Sequence, residues 1–199
     1  MAAIVRKLLL PDGTPASDAR EKLTGKRVAL YFSATWCGQC VTFEPSLAAF
    51  CKEAEAAGKP VQLILVSTDH DALSQARTCE SLNALQIPFG SHLGPELKRR
   101  HRVWAGIENK KYGDKNRRSG IPALVVIDPM GEELAFVDAE RLGADALKSW
   151  DLDQGAWGPP TQAELVASVA SIVPKESLIR GAAIAAAVTV IGLLLLRKR

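Results

Sequence analysis

Tyr31-Phe32-Ser33-Ala34-Thr35-Trp36-Cys37-Gly38-Gln39-Cys40 is the stretch of this 199-residue chain that decides its fold. It begins inside an apolar run, residues 28–33, that is long enough for a buried strand and too short for a typical helix. Residues 40–57 continue with apolar side chains at spacings of three and four, and the pattern ends at Gly58 and Pro60. The sequence therefore predicts a strand, a Cys-x-x-Cys motif and an amphipathic helix, in that order.

The rest of the chain alternates between segments typical of strands and of helices. In chain order these are a strand at 61–67, a helix at about 69–85, a helix at 93–103, a strand at 123–128, a strand at 134–137 and a helix at 145–150. The N-terminal residues predict an edge hairpin, since turn residues at 11–15 lie between short apolar pieces. Strands that alternate with helices and end in a hairpin predict an α/β sheet with helices on both faces.

The position of the two closely spaced cysteines indicates their chemistry. A thiol attacks a disulfide as the thiolate, and an ordinary cysteine is mostly protonated at neutral pH. Cys37 lies just before a predicted helix, where free backbone N–H groups and the helix dipole stabilise an anion. Cys40 lies close enough to attack a mixed disulfide formed at Cys37. We therefore expect Cys37 to be the attacking thiol and Cys40 the resolving thiol, as the catalytic pair.

A zinc site is the alternative explanation for this spacing, because Cys-x-x-Cys also occurs in metal sites. Such a site needs two further ligands. Cys51 and Cys79 fall on helix patterns, where a lone cysteine usually packs as a small core residue, and His70, His92 and His101 form no matching pair. We therefore expect no metal and no cofactor.

Composition limits the partners and the compartment. The net charge of +3 and the pI near 8.7 are too mild to indicate a nucleic-acid partner. Four cysteines in an apolar chain do not make a disulfide framework, so a reducing compartment is expected. Arg6 and Lys7 interrupt the apolar N-terminal residues, and we expect no secretory signal.

An apolar run lies near the C-terminus. Residues 181–196 carry no charge, Arg180 precedes them, and Arg197-Lys198-Arg199 follows. As a helix the run is short for a membrane span, but snorkelling of Arg180 and bilayer thinning extend its reach. We therefore expect a globular domain at 1–158, a linker or amphipathic stem at 159–178, a transmembrane tail anchor at 179–196 and a basic end at 197–199.

Residues 31–40 together with Ile121-Pro122 before a strand resemble the thioredoxin superfamily, and specifically its tryparedoxin and nucleoredoxin branch. The resemblance covers about residues 5–158. It implies a thioredoxin fold, with a central mixed sheet flanked by helices, and a cis Pro122 facing the two sulfurs. It also implies that Trp36, Gly38, Gln39, Ile121 and Pro122 are the active-site neighbours of the cysteines.

The sequence departs from the branch at several positions. Tryparedoxins usually place two prolines between the cysteines, where this chain has Gly38-Gln39. Thioredoxins carry a buried aspartate six residues before the first cysteine, where this chain has Tyr31, so proton transfer from Cys40 needs another route. Thr68-Asp69-His70 replaces the Trp-Asp-Glu segment associated with trypanothione. Residues 104–120 form a basic insertion, which is predicted to be a solvated loop, or else a docking surface for an acidic partner or for the anionic face of a membrane.

The sequence thus predicts a membrane-anchored reductase that passes electrons from a dithiol donor to a protein disulfide. The resemblance implies a peroxiredoxin-type client, and trypanothione as the donor, although Thr68-Asp69-His70 weakens the case for trypanothione. The catalytic domain is expected in the cytosol, on the mitochondrial outer membrane, with the endoplasmic reticulum as the alternative. A redox-sensing adaptor, which binds partners through Cys37 and turns over poorly, is the alternative function.

Overall fold

A computed structural model describes residues 2–159 of the chain. The strands are β1 (Arg27–Ser33), β2 (Val61–Ser67), β3 (Leu85–Gln86), β4 (Ala123–Ile127) and β5 (Glu133–Val137). The helices are α1 (Ala2–Val5), α2 (Ala19–Leu23), α3 (Gly38–Ala56), α4 (Ala72–Leu82), α5 (Leu93–His101), α6 (Asn109–Tyr112) and α7 (Ala139–Leu142), with short 3-10 helices at Gly106–Glu108 and Gly143–Ser149.

The strands form one mixed sheet in the order β3-β2-β1-β4-β5. β1 pairs with β2 in parallel and with β4 antiparallel, and β4 pairs antiparallel with β5. Because β1 and β4 are covered on both faces, all their residues but Arg27 are buried, which explains their continuous apolar sequences. This is the thioredoxin fold, with helices flanking a central mixed sheet, as the sequence predicts.

Alternate residues of the central strands pack into two hydrophobic clusters, one on each face of the sheet. Phe32 belongs to one cluster and Tyr31 to the other, as their positions on opposite faces of a strand require. Helix α3 buries Cys40, Phe43, Leu47 and Ala54. This packing fixes the start of α3 directly beyond the end of β1.

Two predicted elements differ from the structure. The N-terminal hairpin is reduced to a single antiparallel bridge between Leu9 and Pro15, with α1 and α2 on either side of it. Proline has no N–H to donate, so Pro15 cannot continue a strand ladder. The predicted helix at 145–150 is a 3-10 helix at Gly143–Ser149, which packs against α3.

The basic segment at residues 98–118 is tied to the rest of the fold. It holds nine lysines and arginines, and four of these have carboxylate partners. Three of these partners, Glu132, Glu133 and Glu140, lie in the hairpin after β4 and in α7. Ion pairs therefore tie parts of this segment to the fold, while Lys110, Lys111 and Lys115 are exposed to solvent.

The end of the domain is closed by Trp157, which is buried and donates from Nε1 to the carbonyl of Ile127 at 2.8 Å. Among residues 2–159, no helix combines the length and the apolar character that crossing a membrane requires. The predicted stem, tail anchor and basic end, at residues 159–178, 179–196 and 197–199, lie outside the described residues except for Pro159.

Candidate active site

Cys37 is the residue that caps the N-terminus of α3. Its backbone is extended (φ −86°, ψ 109°), and its sulfur accepts the backbone N–H of Cys40 at 3.2 Å. Because the first turn of the helix contains no acidic residue, nothing on α3 opposes the attraction of its dipole for a negative sulfur. The side chain is only 9% exposed and belongs to the hydrophobic cluster that contains Phe32, whereas Cys40 has no exposed surface.

Cys40 lies one turn into α3 and is fully buried. Loss of solvation raises the pKa of its thiol, and the hydrogen bond with Cys37 raises it further. Hydrogen bonds with the backbone of Ala34 and with the side chain of Ser33 act in the opposite direction. Cys40 therefore stays protonated at neutral pH, and its proton must leave before its sulfur can attack.

The loop before β4 approaches the Cys37 sulfur from another side. The Ile121–Pro122 peptide bond is cis, as the resemblance implies. The Cys37 thiol donates to the carbonyl oxygen of Ile121 at 3.6 Å. Pro122 has no N–H, so its backbone can pair with an extended segment of another chain only through its carbonyl oxygen.

Gly120 fixes this loop by allowing a carboxylate to approach its backbone. Glu140 accepts the N–H of Gly120 at 2.5 Å and the hydroxyl of Ser119 at 3.3 Å. A Cβ atom at position 120 would collide with the carboxylate of Glu140 and with the guanidinium of Arg117. Only glycine leaves room for this contact, which explains the residue before Ile121.

Asp69 anchors the loop that leads into the motif. Its Oδ1 accepts both the backbone N–H and the hydroxyl of Thr35, each at 2.7 Å, and its Oδ2 accepts the hydroxyl of Ser67 at 2.7 Å. These bonds join the end of β2 to the turn between β1 and α3. Asp69 thus holds the residues that precede Cys37, although it lies 32 positions further along the chain.

The neighbours of Asp69 hold Trp36. The indole Nε1 donates to the carbonyl of Thr68 at 3.0 Å, and the ring stacks on His70 with centroids 5.9 Å apart and planes 18° from parallel. The tryptophan remains 41% exposed. Thr68-Asp69-His70, noted in the sequence as a departure from the branch, is therefore the segment that supports the active-site loop.

The insertion reaches the site through a buried ion pair. The Lys98 ammonium lies 2.8 Å from Glu108 Oε1 and donates to the Thr68 hydroxyl at 2.7 Å. Burial lowers the pKa of Lys98, while Glu108 opposes this effect. A cleft of about 350 Å³ lies beside this network and His70. The insertion therefore forms one wall of the cleft next to Trp36.

Gly38 and Gln39 are exposed on the opposite side of the motif. They line a second cleft, of about 480 Å³, together with Thr42 and residues of α7. Nothing lies within 4 Å of a Cβ atom built at Gly38. The two residues between the cysteines thus belong to the open surface around Cys37 and not to the core.

The structure brings the predicted residues Cys37, Cys40 and Ile121 into contact, with Trp36 next to Cys37 and Pro122 next to Ile121 in the chain. Cys51 and Cys79 are elsewhere, and burial raises their pKa values to about 12. Within residues 2–159 no cluster of histidine, cysteine or acidic side chains is arranged to hold a metal ion.

Three side chains at the site were missed in the sequence: Ser33, Glu44 and Asp69. Glu44 is half-buried and accepts from the Ser33 hydroxyl at 3.3 Å and from the Tyr31 hydroxyl at 3.5 Å. Its spacing of four residues from Cys40 on a helix was a usable signal, because such residues share one face. No local pattern indicates Asp69, whose partners are distant in sequence.

The sequence of this chain is similar to known proteins. Residues 25–133 match a family model described as thioredoxin-like. Nucleoredoxin of Xenopus laevis is 28% identical over 150 residues, which cover 75% of this chain and 32% of that protein. Nucleoredoxin of Mus musculus is 30% identical over 144 residues, which cover 72% of this chain and 29% of that protein. The chain thus spans about a third of the length of these curated relatives.

Solved structures agree with the fold. Thioredoxin of Wuchereria bancrofti superposes with a TM-score of 0.50 at 26% identity, over 85% of this chain and 98% of that one. Tryparedoxin I of Leishmania major superposes with a TM-score of 0.53 at 22% identity, over 74% of this chain and 90% of that one.

Proposed function

The chain belongs to the thioredoxin-like family, on the branch that includes nucleoredoxins and tryparedoxins, and from that premise we propose that it is a protein-disulfide reductase. The observation that carries the proposal is the placement of Cys37. Its sulfur accepts a helix N-terminal N–H, its side chain keeps 9% exposure, and the fully buried Cys40 lies one turn further into α3. Such a pair can attack a disulfide and then release the product.

The reaction has two exchange steps. The Cys37 thiolate attacks one sulfur of the client disulfide; a bond between Cys37 and the client forms, the client disulfide breaks, and its second sulfur leaves with the electron pair and takes up a proton. Cys40, once deprotonated, then attacks the Cys37 sulfur and releases the first client sulfur. The client gains two electrons, and the Cys37–Cys40 disulfide that remains is reduced again by a dithiol donor.

The surface around Cys37 suits a protein client. Trp36 presents an exposed aromatic face, and the cis Ile121–Pro122 segment lies against the same sulfur. We propose a peroxiredoxin-type client, which the resemblance implies. Trypanothione is the donor that the resemblance suggests, and Thr68-Asp69-His70 in place of Trp-Asp-Glu argues for testing other dithiols beside it.

We also propose a location for this activity. The apolar run at residues 181–196 and the basic residues after it suit a tail anchor that leaves the catalytic domain in the cytosol. The mitochondrial outer membrane is favoured over the endoplasmic reticulum, because the run is short and flanked by basic residues. Deletion of residues 175–199 should move the protein from the membrane pellet to the supernatant, and continued pelleting would contradict the anchor.

Reduction of insulin disulfides tests the proposed activity. The chain should show multiple turnovers with a dithiol donor, and Cys37→Ser should abolish them. Cys51→Ser is the matched control, since Cys51 lies outside the site and should not be required.

One observation favours a second function, that of a redox-sensing adaptor. Burial raises the pKa of Cys40, and a slow resolving thiol prolongs the life of a mixed disulfide at Cys37. An adaptor would accumulate one equivalent of mixed disulfide with the client and show no turnover. The same insulin assay therefore separates the two functions.

A further inference from the structure

The buried thiol of Cys40 must lose its proton during resolution, but this chain lacks the aspartate that thioredoxins carry six residues before the first cysteine. The residue six positions before Cys37 is Tyr31, and burial raises the pKa of its phenol, so Tyr31 is no base at neutral pH. Ser33, two residues further along β1, is fully buried; its hydroxyl donates to the Glu44 carboxylate, and its side chain lowers the pKa of Cys40 by hydrogen bonding. A continuous path of polar groups therefore runs from the thiol to a carboxylate.

We propose that Glu44 is the proton acceptor for Cys40 and that the Ser33 hydroxyl carries the proton between them. The Ser33 hydroxyl donates to Glu44 at 3.3 Å, and hydrogen bonding by the Ser33 side chain lowers the pKa of the Cys40 thiol. When Ser33 passes its own proton to the carboxylate, it takes the proton of Cys40 in return. Glu44 does not touch the reacting sulfurs, so it is a positioning residue for the step.

The surroundings of Glu44 suit this task. From β1, Tyr31 and Ser33 donate hydrogen bonds to it; from the end of β2, Asp69 adds a negative charge; Cys40 shares its helix. Burial is the largest influence and, with Asp69, raises the pKa of Glu44 above its ordinary value, while the two hydrogen bonds oppose this. A carboxylate with a raised pKa is a stronger base. Because Glu44 is only half-buried, the proton can then pass from it to water.

The inference rests on the proposed resolving role of Cys40, and it completes the second exchange step. The proton passes from Cys40 through Ser33 to Glu44, the Cys40 thiolate forms a bond with the Cys37 sulfur, and the client sulfur leaves with the electron pair of the broken bond. The released client thiolate then takes up a proton. No oxidant beyond the mixed disulfide is needed.

Stopped-flow reaction of the full chain with the aromatic disulfide dithiobis-nitrobenzoate separates the two steps. All variants carry Cys51→Ser, because Cys51 is partly exposed. The first release of thionitrobenzoate reports attack by Cys37 and depends on reagent concentration. The second release reports resolution by Cys40 and does not. In the chain that carries only Cys51→Ser, the rate of the second release should fall as the pH is lowered through the pKa of Glu44.

Glu44→Gln should slow the second phase about tenfold or more at neutral pH and remove this ionisation from its pH profile. Glu44→Asp should restore the ionisation, because it restores the carboxylate. Ser33→Ala should slow the second phase while Glu44 is still present. Glu53→Gln, the same change on the exposed face of α3, is the matched control and should leave both phases unaltered.

Two outcomes overturn the proposal. The first is a pH profile of the second phase that is the same in Glu44→Gln and in the wild type. The second is an equal slowing of both phases in Glu44→Gln that Glu44→Asp does not reverse. Failure of the proposed function is seen separately. A chain that shows both phases and the Glu44 effect but does not reduce insulin has the proton path without the reductase activity.

Discussion

Replacing Asp69 with alanine should disconnect the active-site loop from the end of β2. The change removes the acceptor of three hydrogen bonds, two from Thr35 and one from Ser67. At about 1 kcal/mol net for each bond, the free energy of unfolding should fall by about 3 kcal/mol. For a domain of this size, about 1 kcal/mol lowers Tm by roughly 2–4 °C, so Asp69→Ala should melt roughly 6–12 °C lower.

The same change should slow catalysis, because Thr35 lies two residues before the attacking thiol. If about half of the lost free energy held the loop in its reactive position, about 1.4 kcal/mol is lost from the transition state, which is roughly a tenfold decrease in kcat/KM for insulin reduction. Thermal unfolding and the insulin assay on the full chain measure the two effects.

Asp71→Ala is the matched control for this substitution. Asp71 caps α4 by accepting the N–H of Ser74 at 2.8 Å, so its loss should destabilise the protein by about 1 kcal/mol. It makes no bond to the active-site loop and should leave turnover unchanged. If Asp69→Ala kept wild-type kcat/KM, or if both variants lost activity equally, the assignment of Asp69 as the anchor of the loop would be wrong.

Three further substitutions test other parts of the structure. Because burial raises the pKa of Glu44, the protonated carboxyl stabilises the fold below its unfolded pKa, and this contribution is lost as pH rises through the folded pKa. Glu44→Gln should therefore be more stable than the wild type at pH 8. Denaturant titrations at pH 5 and pH 8 should show that the free energy of unfolding falls less between the two pH values in the variant than in the wild type. Glu108→Gln leaves the buried Lys98 ammonium without its counter-charge and should lower the free energy of unfolding by about 3 kcal/mol in urea titrations, and an unchanged midpoint would contradict the role of this pair. Gly120→Ala should displace Glu140 and lower both Tm and insulin turnover, whereas Gly94→Ala, where nothing lies within 4 Å of the added methyl, should not displace any neighbour.

The sequence was sufficient for the parts of the fold that depend on local pattern. The apolar runs at 28–33 and 61–67 predicted β1 and β2 within a residue, because a strand buried on both faces has a nearly continuous apolar sequence. The N-terminal hairpin failed because turn residues alone do not supply a strand ladder, and Pro15 removes one of its donors.

Only the residues of the Cys-x-x-Cys motif and the proline implied by the resemblance could be predicted at the candidate site. Cys37 and Cys40 follow from their spacing at a helix start, and Pro122 from the family resemblance. Asp69 and Glu108 act through partners 34 and 40 positions away, such as Thr35 and Thr68, and no sequence pattern records such contacts. The ion pair of Arg118 in the insertion was not predictable for the same reason, since its partner Glu133 lies in the hairpin after β4.

Capture of the mixed disulfide with Cys40→Ser is the measurement that tests the central claim most directly. Incubated with an oxidised peroxiredoxin-type client, this variant should accumulate a covalent adduct that mass spectrometry assigns to Cys37 and that a dithiol releases, while the wild type turns over without accumulating it. An adduct at Cys51 or Cys79, or turnover that continues in Cys37→Ser, would contradict the assignment of Cys37 as the attacking thiol.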